Sequence, residues 1–289
     1  MSVLVLILKI VIIVILAQLV GGFLTGVDRK ITARMQSRKG PPVLQPFYDV
    51  IKLMQKESTH VSSLTRYFVT FTLVFTAFTV VLLFIGSDIL LCIFAFTLAC
   101  AFFVIAGYSS NSPYSIIGAE RELLQIMAYE PMILCVAFGF YGASGTFSIS
   151  EALNFSEPII VKLPLIFIGL CYVLTIKLRK SPFDLSMSHH GHQEIVKGIT
   201  TEFTGRTMAV VEIIHWYETV FSLGLVGIFL VYLASFSILV AAGVSLVIFF
   251  IEIVIDNTFA RVKWGTTLKI SWIVTLVCSG VNFIVLRIM

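Results

Sequence analysis

Eight runs of about 20 apolar residues, near 3–24, 67–86, 88–108, 121–142, 159–178, 207–233, 237–256 and 268–288, restrict what this chain can become. At about 1.5 Å of rise per residue, each run is long enough as a helix to cross roughly 30 Å of hydrocarbon. Backbone polar groups in lipid must be satisfied within the segment, and a helix satisfies them. The expected fold is therefore all-α, a polytopic membrane protein with eight transmembrane helices forming a single membrane domain over 1–289. Composition agrees: 58% of residues are hydrophobic and 12% are charged, about half the roughly 25% charge of soluble domains. The first run lacks a basic n-region and a small-residue cleavage site, so it reads as a retained span.

Charge placement sets the expected orientation. Of the 20 Lys and Arg residues, all but Lys9, Lys162 and Arg287 lie in or beside the odd-numbered loops. Those loops are expected to face the cytoplasm of a cell membrane, with both termini outside. The three exceptions sit close enough to span ends to snorkel toward headgroups. Topology thus accounts for the net charge of +4, and nucleic acid is not an expected partner.

The long first loop contains a second helical pattern. Val43, Phe47, Val50, Ile51 and Met54 recur at helical spacing, with Asp49, Lys52 and Lys56 on the other side, and Pro46 suits a first helical turn. This segment, Val43 to Glu57, is expected to be an amphipathic helix lying on the membrane or against its neighbours.

The five cysteines, Cys92, Cys100, Cys135, Cys171 and Cys278, fall in apolar runs without the spacing of a cluster or zinc motif. They read as small hydrophobes. Redox centres are therefore expected on other chains, and neither a catalytic residue nor a metal site is assigned here.

Titratable residues gather in three places. The first is Arg34-Met-Gln-Ser-Arg38-Lys-Gly-Pro-Pro42 followed by Gln45, Pro46 and Asp49, a tight turn with basic groups suited to an acidic partner surface. The second is Gly118-Ala-Glu-Arg121, which leads into the fourth span and sets Glu130 about two and a half turns below Glu120, within the membrane. An ionised carboxylate there is costly without partners, and such groups are functional candidates by default. The third is the loop holding Asp184, His189, His190, His192 and Glu194, followed by Glu202, Arg206, Glu212, His215 and Glu218. Glu212, His215 and Glu218 are spaced three apart and share one broad helix side. With Glu130, Glu252 and Asp256, that side is a candidate ion or proton path. The loop histidines admit a proton relay or partner contact, a metal site, or a plain surface; without a clear fourth ligand the metal signal is weak, and their near-neutral pKa suits a relay.

Together these residues resemble a known family. Arg38-Lys-Gly-Pro41 with Gln45-Pro46 and Asp49, then Gly118-Ala-Glu-Arg121 leading to Tyr129-Glu130, then Ser181-Pro-Phe-Asp-Leu185, is similar to the eight-span heel subunit shared by respiratory complex I and the energy-converting NiFe hydrogenases. The resemblance covers almost the whole chain. Complex I members usually carry a glutamate-rich loop after Pro-Phe-Asp, whereas Ser188-His-His-Gly-His-Gln-Glu194 resembles the hydrogenase branch, as does Glu212-Ile-Ile-His-Trp-Tyr-Glu218.

That resemblance implies a membrane-anchoring, ion-translocating subunit of an Ech-type, ferredoxin-dependent hydrogenase, related to the formate hydrogenlyase and CO-linked branches. It implies no cofactor on this chain, with the 4Fe–4S and NiFe centres in partner subunits. The implied partners are the small and large hydrogenase subunits, an antiporter-like membrane subunit and a ferredoxin-type cluster subunit. The first, third and fifth loops would form the dock, through Arg34, Arg38, Asp49, Arg121, Asp184, His189, His190, His192, Glu194 and Glu202. The alternatives are a quinone-reducing complex I heel and a passive anchor whose carboxylates only satisfy helix contacts.

Overall fold

The computed structural model describes residues 3–57, 62–110, 112–152, 155, 157–186, 196–234 and 236–288. Its helices are α1 (Val3–Met35), α2 (Gln45–Gln55), α3 (Ser63–Ile85), α4 (Ile89–Tyr108), α5 (Pro113–Ser144), the single turn α6 (Ile149–Ala152), α7 (Pro164–Lys177), α8 (Gly205–Ile228), α9 (Ser237–Thr258) and α10 (Trp264–Ile288). Each apolar run forms a helix. Seven of them, α1, α3, α4, α5, α8, α9 and α10, are long and apolar enough to cross a membrane. The eighth, α7, has 14 residues, or about 21 Å at 1.5 Å per residue. Pro164 fixes its start, and the equally apolar residues before it form a 3₁₀ turn at Ile159–Val161.

The chain divides into two compact units. The first comprises Met1–Phe84, Leu98–Leu123 and Leu185–Phe221; the second comprises Ile85–Thr97, Leu124–Asp184 and Ser222–Met289.

In the first unit, three glycines let α1 approach its neighbours at backbone distance. A Cβ on Gly21 would stand 2.4 Å from the Trp216 carbonyl oxygen of α8, one on Gly22 2.5 Å from the Phe47 ring, and one on Gly26 1.8 Å from the Val43 carbonyl oxygen. No larger side chain fits these contacts. Phe47 of α2 and Trp216 meet at a centroid distance of 5.0 Å. Elsewhere in this unit Phe71 and Phe75 of α3 pack on Phe102 of α4 at 5.6 and 5.4 Å. The first-loop helix is present and packs only part of its apolar surface within this chain. Pro46 and Val50 are buried, while Ile51 and Met54 are exposed.

In the second unit, α5 carries Pro131 inside its helix. Proline has no N–H, so the carbonyl four residues earlier, that of Met127, loses its helical partner. The Trp272 indole N–H of α10 donates to this oxygen at 3.2 Å. The N-terminus of α7 is satisfied in a similar way: Asn282 Oδ1 accepts from Leu165 N at 3.1 Å, and its Nδ2 donates to Lys162 O at 3.1 Å. Tyr172 of α7 and Ser271 of α10 lie 3.2 Å apart, hydroxyl to hydroxyl. The other hydroxyls on that side of α10, Thr267, Thr275 and Ser279, donate to carbonyls four residues back along the chain.

Candidate functional site

In the first unit a single guanidinium joins the first loop to a membrane helix. The glycine contacts seat α2 on α1, which brings Asp49 to Arg29, two turns beyond Gly22. Arg29 Nη1 donates to Asp49 Oδ2 at 2.7 Å, and Gln45 Nε2 donates to Asp49 Oδ1 at 2.9 Å. Arg29 Nη2 also lies 3.9 Å from Glu212 Oε2 on α8. Arg29 and Asp49 are each 37% exposed at the side chain, where an ion pair stabilises by about 1 kcal/mol or less. One turn further along α8, His215 Nδ1 lies 3.0 Å from Glu218 Oε2, and Glu218 is almost fully buried. The Phe103 ring meets His215 edge-on at 6.3 Å.

The fifth loop is held at both of its described ends in this unit. Ser186 Oγ donates to Glu122 Oε2 of α5. Val196 N donates to Tyr114 Oη at 2.6 Å, and Ser115 Oγ donates to Ile199 O at 3.1 Å. Ile199 N also donates to Ser186 O at 3.4 Å, which brings the two flanks together. Gly118 makes this possible, because a Cβ there would stand 2.2 Å from Ile199 N. His189, His190, His192 and Glu194 lie outside the described residues.

In the second unit the Ser-Pro-Phe-Asp segment is strapped to the end of α9 and the residues after it. Asp256 Oδ1 accepts from Ser181 N at 2.7 Å, and Lys180 Nζ lies 3.5 Å from Asp256 Oδ2. Ser181 Oγ donates to Phe259 O at 3.0 Å and Val262 N to Pro182 O at 3.1 Å. Arg261 Nη2 donates to Asp184 Oδ2 at 2.7 Å, and Gln125 Nε2 donates to Phe183 O. At the end of α7 the buried Lys177 ammonium donates to Tyr129 Oη at 3.1 Å and sits 3.9 Å above the Phe96 ring. That cage offers a hydroxyl acceptor and a π-face to a cation far from water. Glu252 is 2% exposed, and its Oε2 has no hydrogen-bond partner among the described residues. Glu130 is half-buried, directly before the helix proline.

The expected site residues therefore separate into groups. Asp49 and Glu212 meet through Arg29, and His215 pairs with Glu218, all in the first unit. Glu130, Glu252, Asp256 and Asp184 belong to the second. Arg34 and Arg38 are exposed on the first loop, Arg38 donating to Gln36 Oε1 at 2.9 Å. Arg121 lies half-buried on α5, and Glu202 is partly exposed ahead of α8. Sequence reasoning counted Arg29, Lys177, Lys180 and Arg261 only as topology charges. Their position beside a carboxylate-bearing segment is the one signal that they do more.

Comparison with known proteins adds to this geometry. A family model described as NADH dehydrogenase matches residues 8–287. Formate hydrogenlyase subunit 4 of Escherichia coli (strain K12) is 29% identical over 281 residues, covering 88% of this chain and 90% of that protein. NADH-ubiquinone oxidoreductase chain 1 of Aedes aegypti is 26% identical over 275 residues, covering 86% and 85%. A chain from the membrane-bound sulfane sulfur reductase, an archaeal respiratory membrane complex, superposes with a TM-score of 0.86 at 24% identity, covering 97% of this chain and 99% of that one. This last likeness is one of fold.

Proposed function

The chain belongs to the NADH dehydrogenase family, and from that premise we propose that it anchors a ferredoxin-dependent energy-converting NiFe hydrogenase and carries ions through the membrane. More broadly, it is a multi-pass membrane subunit of the complex I-like, hydrogenase-type respiratory complexes. In the finer reading it docks the small hydrogenase subunit, contacts the large, antiporter-like and ferredoxin-type cluster subunits, and couples H2 evolution to H⁺ or Na⁺ movement. Its odd-numbered loops face the cytoplasm of the cell membrane, and both termini lie outside. The 4Fe–4S and NiFe centres reside in the partners.

The observation that carries this reading is the Arg29 junction. Asp49, on the loop expected to meet the soluble arm, and Glu212, within a membrane helix, face one guanidinium at 2.7 and 3.9 Å. A partner that displaces α2 changes the charge environment of Glu212 and, one turn on, of the His215–Glu218 pair. Coupling requires two states of different ion affinity, and in this reading the difference arises at the junction. The magnitudes agree. Two electrons falling through roughly 100 mV release about 4.6 kcal/mol, while moving one charge against roughly 150 mV costs about 3.5 kcal/mol. About one ion per H2 is therefore the expected stoichiometry.

Glu212→Gln in the purified complex, assayed in vesicles for H2 evolution and ion uptake together, is expected to abolish uptake while evolution continues. Normal uptake would sink the carboxylate-path reading. Loss of both activities with an intact assembly would assign Glu212 to the dock. Replacing His189, His190 and His192 with Gln is expected to lower H2 evolution; unchanged assembly and evolution would make those residues plain surface.

A second reading, a quinone-reducing heel, is favoured by the comparable likeness to NADH-ubiquinone oxidoreductase chain 1. Quinone extracted from the purified complex, with quinone-dependent turnover, would establish it in place of the hydrogenase reading.

A further inference from the structure

Helix α2 uses only part of its surface for packing. Pro46 and Val50 are buried, but Leu44, Tyr48 and Ile51 are 52%, 56% and 56% exposed. Residues three and four apart fall along one line of a helix, so these three form an apolar stripe beside the packed side. Lys52 and Lys56, both exposed, follow at the next positions around the helix.

The depth of this stripe follows from what α2 touches. Phe47 packs on Gly22, the Val43 carbonyl on Gly26, and Asp49 pairs with Arg29. Helix α2 therefore meets α1 where its apolar run gives way to the charges Asp28 and Arg29. Just before that point Leu16, Leu19, Val20 and Phe23 of α1 are 49–54% exposed, as lipid-facing residues of a span are. The other end of α2 lies at the start of α8. There Arg206 Nε donates to Met54 O at 3.4 Å, and a Cβ on Gly205 would stand 2.7 Å from the Glu57 carbonyl oxygen. One end of α2 thus rests at the start of α8 and the other on α1 where its apolar run ends, which sets the helix at the boundary between hydrocarbon and water.

An apolar stripe at that depth, flanked by Lys52, Lys56 and the exposed Arg206, matches an anionic phospholipid in both its halves. Asp49 and Glu57 are the acidic groups on the same segment; Asp49 is engaged by Arg29 and Gln45, which leaves the cations in excess around the stripe. We propose that this face of α2 binds anionic phospholipid, with Leu44, Tyr48 and Ile51 among the acyl chains and Lys52, Lys56 and Arg206 on the headgroup phosphate. Charge-assisted contacts from ammonium and guanidinium groups suit a phosphate oxygen, and each basic residue near an anionic surface adds to retention. A protein partner on the same face is the competing occupant. The proposal is independent of which redox reaction the assembly performs.

The test uses the native assembly, purified through a tag on this chain and carrying a photo-crosslinking amino acid at Ile51. It is reconstituted in equimolar phosphatidylcholine and phosphatidylglycerol. Irradiation is expected to join this chain to phospholipid, with phosphatidylglycerol enriched in the adduct and among lipids retained through detergent washing. The K52Q/K56Q/R206Q variant should lose roughly tenfold in that selectivity, while K52R/K56R should retain it and so exclude a folding defect. Cross-linking to another subunit, or equal lipid selectivity in the wild type and the triple variant, overturns the proposal.

Discussion

The two units handle charge near the membrane in opposite ways. The first joins Arg29 and Asp49, each 37% exposed, to Glu212, 20% exposed, across three separate helices by contacts that a loop movement can alter. The second packs its charges away. Asp184 on Arg261, Lys180 on Asp256, and Lys177 among Tyr129 and Phe96 are buried side chains, each held by a partner. A half-exposed pair contributes little to stability and is sensitive to its surroundings. A buried pair contributes little net gain when intact but destabilises strongly when one partner is removed. The Arg29 junction of the first unit is thus open to its surroundings, and the buried Asp184 pair of the second holds.

This contrast can be broken most directly in the second unit. Asp184→Ala leaves the Arg261 guanidinium without its carboxylate in a largely buried setting and is expected to cost about 3 kcal/mol, read as a lowered midpoint of thermal unfolding in detergent. An unchanged midpoint would mean that the segment after Ser181 is not a structural strap. Of middle size is Gly26→Leu, which forces α2 off α1 because the Val43 carbonyl already occupies the space. About 1–3 kcal/mol is expected for that overpacking, together with faster proteolysis between α1 and α2. Protection equal to the wild type would show that α2 can dock without the glycine contact.

The smallest stability effect belongs to the first unit. Arg29→Gln is expected to change stability by less than about 1 kcal/mol, yet, on the proposed function, to reduce ion uptake in vesicles far more than H2 evolution. If it behaved like Asp184→Ala, with a large loss of stability and proportional loss of both activities, the distinction between a responsive and a holding unit would fail.

Much of the architecture was legible in the sequence because lipid imposes a simple rule on length and polarity. The helices over 67–86 and 237–256 emerged nearly where hydropathy puts them. The short α7 did not, since Ile159–Val161 is as apolar as the helix it precedes and only Pro164 marks the boundary. Local spacing disclosed the His215–Glu218 pair, three residues apart. It could not disclose Arg29 with Glu212, because that contact depends on how α1 and α8 approach, which the small residues at 21, 22 and 26 permit without announcing the partner. The amphipathic helix was legible from its spacing, but spacing alone could not say which apolar residues meet α1 and which, like Ile51 and Met54, are left uncovered by this chain.

One small feature of the second unit sets a mechanical standard for the rest. The hydroxyls along α10, Ser271 included, return to carbonyls four residues back, but Ser271 also meets Tyr172 of α7 and Asn282 reaches across to the start of α7. Asn282 uses both halves of its amide at once, so a slip of one residue, about 1.5 Å, breaks two hydrogen bonds together. Ser271, about three turns away, grips Tyr172. Two pins on a line fix both offset and heading, so α7 and α10 behave as one keyed bar that can be carried or tilted as a body but cannot shear internally.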